Sequence, residues 1–104
     1  MVDIEALSMK AMEIVTYAGM AKSNYINALK SAKKQDFSQA EQLLKEGDSM
    51  MAMAHDSHMG LLQKEAESME PQVCLMIVHG EDQIMSCETI RLLVTELMEL
   101  YQTR

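Results

Sequence analysis

The side chains of this chain that could do chemistry are concentrated in one stretch, Leu75 to Met85, which reads LMIVHGEDQIM. His79 and Asp82 stand three residues apart, so in a helix they project from neighbouring points of one face. Glu81 lies between them in sequence but points away from that face. Because titratable groups are costly to bury without partners, their presence in a Met, Ile, Val and Leu segment predicts a functional site.

The spacing of His79 and Asp82 leaves the type of chemistry open. A histidine three residues before an aspartate is typical of an ordinary helix surface, but it also suits a nucleophile, a general base or a metal ligand. The sequence places no serine or cysteine as a third member of a hydrolase site. Residues alone therefore identify the position of the site without choosing its reaction.

A second histidine pair, His55 and His58, follows a methionine cluster formed by Met50, Met51 and Met53. Thioether and imidazole groups together can bind Cu(I), so a copper-type Met/His site is one interpretation. Methionines that fill the core, with the histidines near a helix surface, are the more frequent meaning of such a pattern. The sequence has no Glu-x-x-His pair for a di-metal centre, no C-x-x-C pair for zinc and no glycine-rich phosphate loop.

The composition predicts that helices position these residues. Twelve methionines, no tryptophan and one phenylalanine in 104 residues favour helix over strand. Apolar residues recur every three or four positions, which predicts a single all-α domain over 1–104, an antiparallel three-helix bundle. The helices are expected over about 3–34, 37–68 and 73–102.

Three residues interrupt or delimit the predicted helices. Asp36, with Gln39 three residues later, predicts a capping box at the start of the second helix. Pro71 marks the turn before the third helix. Gly19, in the middle of the first helix, predicts the close approach of a neighbouring helix.

The predicted third helix carries two apolar seams. We expect the first to pack inside the subunit and the second to pack against copies of the same chain, which predicts a symmetric homo-oligomer. The first seam is Val73, Ile77, Gly80, Ile84, Cys87, Val94, Met98 and Tyr101, and the second is Leu75, His79, Asp82, Ser86, Thr89, Leu93 and Leu100.

Charge and cysteine content indicate the cellular compartment and the classes of partner to expect. The formal net charge of -7 speaks against nucleic acid or an anionic membrane as partner. No apolar run approaches the roughly 18 residues of a membrane span, and the acidic start is unlike a signal peptide. Cys74 and Cys87 would lie ~20 Å apart on one helix, too far for a disulfide. We therefore expect a cytoplasmic protein, without membrane insertion, whose thiols are free.

Several segments together resemble a known family. The resemblance is to the lactose/cellobiose-specific IIA component of the bacterial phosphoenolpyruvate-dependent sugar phosphotransferase system, over nearly the whole chain. The segments are YAGMAKS from Tyr17, ALKSAKKQDF from Ala28, AH at Ala54, VHGEDQIM from Val78 and TELMELY from Thr95.

This resemblance implies a phosphoryl carrier in sugar uptake, a transferase component with a phosphohistidine intermediate. His79 would accept phosphate from the histidine-containing phosphocarrier protein and pass it to a cysteine of the cognate IIB component. The family's three-helix subunit trimerises into a nine-helix assembly. Asp82 matches the aspartate that the family gathers at the threefold axis around a divalent cation, Mg²⁺, one per trimer.

The chain departs from the family pattern close to the site. The family usually has Gln at the position of Glu81, His at that of Gln83, and Gln-Thr at those of His58 and Met59. We expect Glu81 and Gln83 to tune the site. The alternative function is a non-catalytic helical oligomer, or a copper-type Met/His module, that retains the fold without phosphotransfer. Lactose, cellobiose, chitobiose and aryl β-glucosides are all compatible substrates of such a system, because a IIA carrier does not contact the sugar.

Overall fold

Three long helices make up the protein in a computed structural model that describes residues 2–104. They are α1 (Ile4–Lys33), α2 (Phe37–Ser68) and α3 (Leu75–Gln102). The prediction of an all-α three-helix fold is thereby confirmed, and the helix ends lie within two residues of the expected ones. Met1, the first residue of the predicted domain, lies outside the described residues.

Interhelical contacts give the helix directions. Ser8 meets Cys74 and Ala18 meets Cys87, so residue numbers rise together and α1 runs parallel to α3. Tyr25 of α1 contacts α2 at Gly47, close to the start of α2, so these two helices are antiparallel. The bundle is elongated, with extents of 56 × 18 × 18 Å.

The helix starts differ in how well they are capped. Asp3 accepts a hydrogen bond from the backbone N–H of Ala6 at 3.1 Å, and Asp36 accepts one from Gln39 at 3.1 Å. Cys74 at the start of α3 has an extended backbone and makes no side-chain capping bond. The predicted start near position 73 is two residues early because the chain stays non-helical from Pro71 through Cys74.

The core is centred on α1, which packs against both other helices, whereas α2 and α3 contact one another little. Small side chains on the inner face of α1 allow this close packing, because alanine adds little bulk between helix axes. The fully buried alanines of α1 are Ala11, Ala18, Ala21, Ala28 and Ala32.

Two glycines lie where a neighbouring helix leaves little or no room for a side chain. A Cβ atom on Gly47 would lie 2.5 Å from Cε1 of Tyr25, and one on Gly80 would lie 3.2 Å from Cγ2 of Ile14. Gly19 is exposed, and among residues 2–104 no atom outside its own stretch of helix lies within 4 Å of the position of a Cβ atom. The prediction of a close approach at Gly19 is therefore wrong, because that residue lies on the outer side of α1.

One polar cluster joins all three helices. The buried Tyr25 hydroxyl donates to Oδ1 of Asp48 at 2.6 Å. Arg91 donates from Nε to Oδ1 of Asp48 at 2.6 Å and from Nη2 to Oδ2 at 2.9 Å. The hydrogen bonds from Arg91 hold the pKa of the Asp48 carboxyl below its ordinary value, and burial raises the pKa of Tyr25. The cluster links α2 and α3 to one another and to α1.

The two seams of α3 have different surroundings in the single chain. Most of the first is buried against α1, although Val73 is exposed and Tyr101 half-buried. The second faces outward, with Leu75, Leu93 and Leu100 more than half exposed. Within residues 2–104, no helix is both long and apolar enough to cross a membrane.

Candidate functional site

His79 lies in the second turn of α3, on the outside of the bundle. Its ring lines an open cleft of about 590 Å³ between the starts of α1 and α3. Ile4 and Ser8 form the α1 side of this cleft, and Cys74, Leu75 and Met76 form the α3 side. The imidazole is thus reachable by a group on another molecule.

The imidazole of His79 has no side-chain hydrogen bond or ion pair to any of residues 2–104. A neutral imidazole carries one nitrogen with a free lone pair, which makes it a nucleophile near neutral pH. The same nitrogen is a good leaving group. An exposed and unbonded histidine can therefore both accept and release an electrophilic group such as phosphoryl.

An apolar rim surrounds this histidine. Ile4 is 55% exposed, Leu75 is 85% exposed and Met76 is half-buried, and all three line the cleft. Apolar side chains gathered around one polar group are typical of surfaces that bind another protein. The cleft is therefore suited to a protein donor or acceptor better than to a free small anion.

Asp82 lies one turn after His79 but lines a different groove, of about 420 Å³, with Met85, Ser86 and Thr89. Its carboxylate is exposed and makes no hydrogen bond to the described residues. Within residues 2–104, no three His, Cys, Asp or Glu side chains are placed to share a metal ion. A cation held by Asp82 would thus need ligands from other molecules, and the exposed oxygen donors at this face suit a hard ion such as Mg²⁺.

Glu81 and Gln83 diverge from one another around α3. Oε1 of Glu81 lies 2.7 Å from Nε2 of His58, so this carboxylate faces α2 rather than the His79 cleft. Gln83 is half-buried and follows His79 by four residues, a separation that places both side chains on one face of the helix. The two expected tuning residues therefore occupy different positions relative to His79.

The second histidine pair lines a groove between α2 and α3. Nε2 of His55 lies 2.9 Å from Oε1 of Glu88, and His58 binds Glu81 as described above. Both imidazoles are thus engaged by carboxylates. The groove includes Met85 but none of the three methionines that precede His55 in sequence. The copper-type interpretation was based on the methionines that precede His55, whereas the thioether that lines the groove with the imidazoles is that of Met85.

Sequence patterns did not identify two of these interactions. The His58–Glu81 contact joins residues 23 apart, and the Asp48–Arg91 contact joins residues 43 apart. Helical spacing does not relate the members of either pair, because the partners lie on different helices. Only the packing of the helices brings these groups together.

Comparison with known proteins identifies relatives along nearly the whole chain. Residues 9–102 match the family model described as PTS system, lactose/cellobiose specific IIA subunit. The PTS system lactose-specific EIIA component of Lactococcus lactis subsp. lactis is 37% identical over 98 residues, which cover 94% of this chain and 93% of that protein.

Solved structures share the fold. PtcA from S. mutans superimposes with a TM-score of 0.90 at 31% identity, covering 97% of this chain and 99% of that one. The IIA(Chitobiose) protein of the Escherichia coli phosphotransferase system, solved in complex with HPr, superimposes with a TM-score of 0.83 at 30% identity. That match covers 93% of this chain and 94% of that one.

Proposed function

Because the chain belongs to the lactose/cellobiose-specific IIA family of the sugar phosphotransferase system, we propose that it carries phosphoryl groups on His79. The observation that carries this proposal is the exposed imidazole of His79, which has no partner among residues 2–104. We expect the protein to act in the cytoplasm, between a phosphocarrier donor and a IIB acceptor.

The proposed reaction consists of two in-line transfers. A ring nitrogen of His79 attacks the phosphorus of the donor's phosphohistidine, so that one P–N bond forms while the donor's P–N bond breaks. The thiolate of a IIB cysteine then attacks the same phosphorus, forming a P–S bond and releasing the His79 nitrogen with its electron pair. Both steps preserve the phosphoryl group, and neither requires water or a redox partner.

The proposed donor is the histidine-containing phosphocarrier protein. The apolar rim formed by Ile4, Leu75 and Met76 supports docking of a protein at the His79 cleft. The E. coli relative solved with HPr supports the identity of the donor, since this chain shares its fold at 30% identity. A protein surface around the cleft would also exclude water, which protects a labile P–N bond from hydrolysis.

We further propose that the chain forms a trimer through the part of the outward seam of α3 that runs from Asp82 to Leu100, which leaves Leu75 and His79 accessible to the donor. Leucines that are more than half exposed, such as Leu93 and Leu100, gain stability when a second copy covers them. Asp82 lies on the same seam, so a threefold axis there would bring three carboxylates together. Their mutual repulsion would favour a bound cation, and oxygen-only ligands favour Mg²⁺. When bound, the cation supplies charge neutralisation at the axis.

The carrier proposal is tested by transfer from the phosphorylated phosphocarrier protein to the purified chain. We expect the native chain to gain one acid-labile phosphate, and His79→Ala to gain none. His55→Ala is the matched control, because it also removes one exposed imidazole but leaves the cleft intact. Phosphorylation of His79→Ala, or none of the native chain, would instead favour the non-catalytic alternative.

The trimer and its cation are tested together by equilibrium sedimentation and metal analysis. We expect the mass of three chains and one Mg²⁺ per three chains. Asp82→Asn removes the charges at the axis, so we expect it to lose the metal while its helix content is unchanged. A monomeric native chain at micromolar concentration would rule out the assembly.

A further inference from the structure

The start of α3, which carries His79, is weakly held. Its N-cap residue, Cys74, makes no side-chain hydrogen bond, and the first turn contains no acidic residue. The first backbone N–H groups of a helix have no partners within it, and without a capping side chain the end of the helix opens readily. His79 lies in the second turn, so its presentation depends on whether this end stays closed.

The inner face of this helix start is held by apolar packing against α1. Ile77 and Ile84 are buried, and Gly80 packs against Ile14. On the side facing α2 the contact is sparse, because α2 and α3 touch little. Packing against α1 therefore does not hold the side of the second turn that faces α2. Other interactions are needed there.

One polar contact supplies such an interaction. Between residues 75–85 and the other helices, the one described side-chain hydrogen bond joins Nε2 of His58 to Oε1 of Glu81 at 2.7 Å. The His58 side chain is only 22% exposed, which favours a persistent bond, whereas the Glu81 side chain is 47% exposed. Glu81 lies two residues after His79, within the same turn of α3.

We propose that His58 is a positioning residue for His79. By holding the Glu81 carboxylate, it keeps the second turn of α3 closed against α2 and thereby fixes the direction of the His79 side chain. His58 touches neither His79 nor the phosphoryl group. The consequence for transfer depends on the proposed function, whereas the closing of the helix end does not.

The chain provides a matched control in the His55–Glu88 pair. This pair has the same residue types, joins the same two helices and has an Nε2–Oε1 distance of 2.9 Å. Glu88, however, lies more than two turns after His79. Removing His55 therefore deletes a contact of the same residue types, between more exposed side chains, without loosening the turn that carries His79.

The first measurement is hydrogen exchange of the backbone amides of residues 79–82. We expect His58→Ala to accelerate this exchange about three- to fivefold, the size expected for one partly exposed hydrogen bond. His55→Ala should leave exchange at these amides unchanged. Equal exchange at residues 79–82 in His58→Ala and the native chain would overturn the proposal, provided that urea unfolding shows both to be folded.

Variants of Glu81 distinguish a hydrogen bond from a simple charge effect. Glu81→Gln keeps an oxygen that can accept from Nε2–H of His58, so we expect near-native exchange. Glu81→Ala should match His58→Ala, and the double variant should be no worse than either single one. Positioning by this bond would be contradicted if the two single substitutions had additive effects on the exchange rate. It would also be contradicted if Glu81→Gln exchanged as fast as Glu81→Ala.

The second measurement is the rate of phosphoryl transfer to His79. Helix ends open with free energies near zero, so a change in the opening equilibrium alters the fraction of molecules that present His79 correctly. We expect His58→Ala to slow transfer about twofold at low donor concentration, and His55→Ala to leave the rate of transfer unchanged. Faster exchange with unchanged transfer would refute the positioning role. If the native chain accepts no phosphate, the proposed function fails, while the exchange data still decide whether His58 closes the helix end.

Discussion

Replacing Gly47 with alanine probes the contact between α2 and the Tyr25 ring of α1. The new Cβ atom would lie 2.5 Å from Cε1 and 2.8 Å from Cδ1 of Tyr25. Carbon atoms in contact are normally about 3.5–4.0 Å apart, so the ring would have to move by about 1 Å. That movement is opposed because the ring is fully buried and its hydroxyl donates to Asp48 at 2.6 Å.

The expected magnitude follows from three contributions. Overpacking a core costs about 1–3 kcal/mol. A weakened hydrogen bond between Tyr25 and Asp48 adds about 1 kcal/mol. Alanine in place of glycine within a helix raises the free energy of unfolding by about 1 kcal/mol, because alanine has the higher helix propensity. We therefore expect Gly47→Ala to lower the free energy of unfolding by about 1–3 kcal/mol.

Gly19→Ala is the matched control. Gly19 is also inside a helix, but a Cβ atom there meets nothing within 4 Å. It should raise the free energy of unfolding by up to about 1 kcal/mol, which is the helix-propensity gain alone.

Urea unfolding followed by circular dichroism, at one fixed protein concentration, measures both glycine variants. The reasoning is refuted if Gly47→Ala is as stable as the native chain. It is also refuted if the cost of Gly47→Ala is unchanged when Tyr25 is first replaced by leucine, since that background removes the ring that the Cβ atom would meet.

Three further predictions follow from the same structure. Because Arg91 lowers the pKa of Asp48, the stability that this carboxylate provides is present above the ordinary aspartate pKa of 3.8 and lost as the pH falls below it. Asp48→Asn should thus be about 1 kcal/mol less stable at pH 7, with the difference closing in urea titrations below about pH 4. Burial raises the pKa of Cys87 to about 11. At pH 8 a thiol reagent should therefore modify the half-buried Cys74 first, and Cys87 only upon unfolding. Equal rates of modification of the two thiols would contradict this prediction. Leu93→Glu should lower the sedimenting mass while helix content is retained, and an unchanged mass would exclude this seam from the assembly.

The candidate site shows which features can be predicted from local sequence patterns and which cannot. The sequence located His79 and Asp82 on one helix, because side-chain direction within a helix follows from spacing alone. It also indicated that Glu81 points elsewhere, and the structure places that carboxylate 2.7 Å from His58. The identity of that partner could not be predicted, since it lies on a different helix and depends on how α2 rotates about its own axis.

The glycines illustrate the opposite case. Gly19 lies inside a helix, like Gly47 and Gly80, but the presence of a glycine does not by itself show whether a neighbouring helix comes close. Whether a glycine is needed depends on what stands opposite the missing Cβ atom. For Gly47 that is the ring of Tyr25, and for Gly19 it is open space.

The sequence by itself determined the secondary structure and the family of this protein. Helix propensity, apolar periodicity, the Asp36 cap and the break at Pro71 are local properties, and so they can be read from neighbouring residues. The tertiary structure decided which side chains of different helices meet, including the Tyr25–Asp48–Arg91 cluster. It also showed that the His79 ring faces an open cleft. These features depend on the relative rotation of three packed helices, which is fixed by the sum of many weak contacts along their whole length.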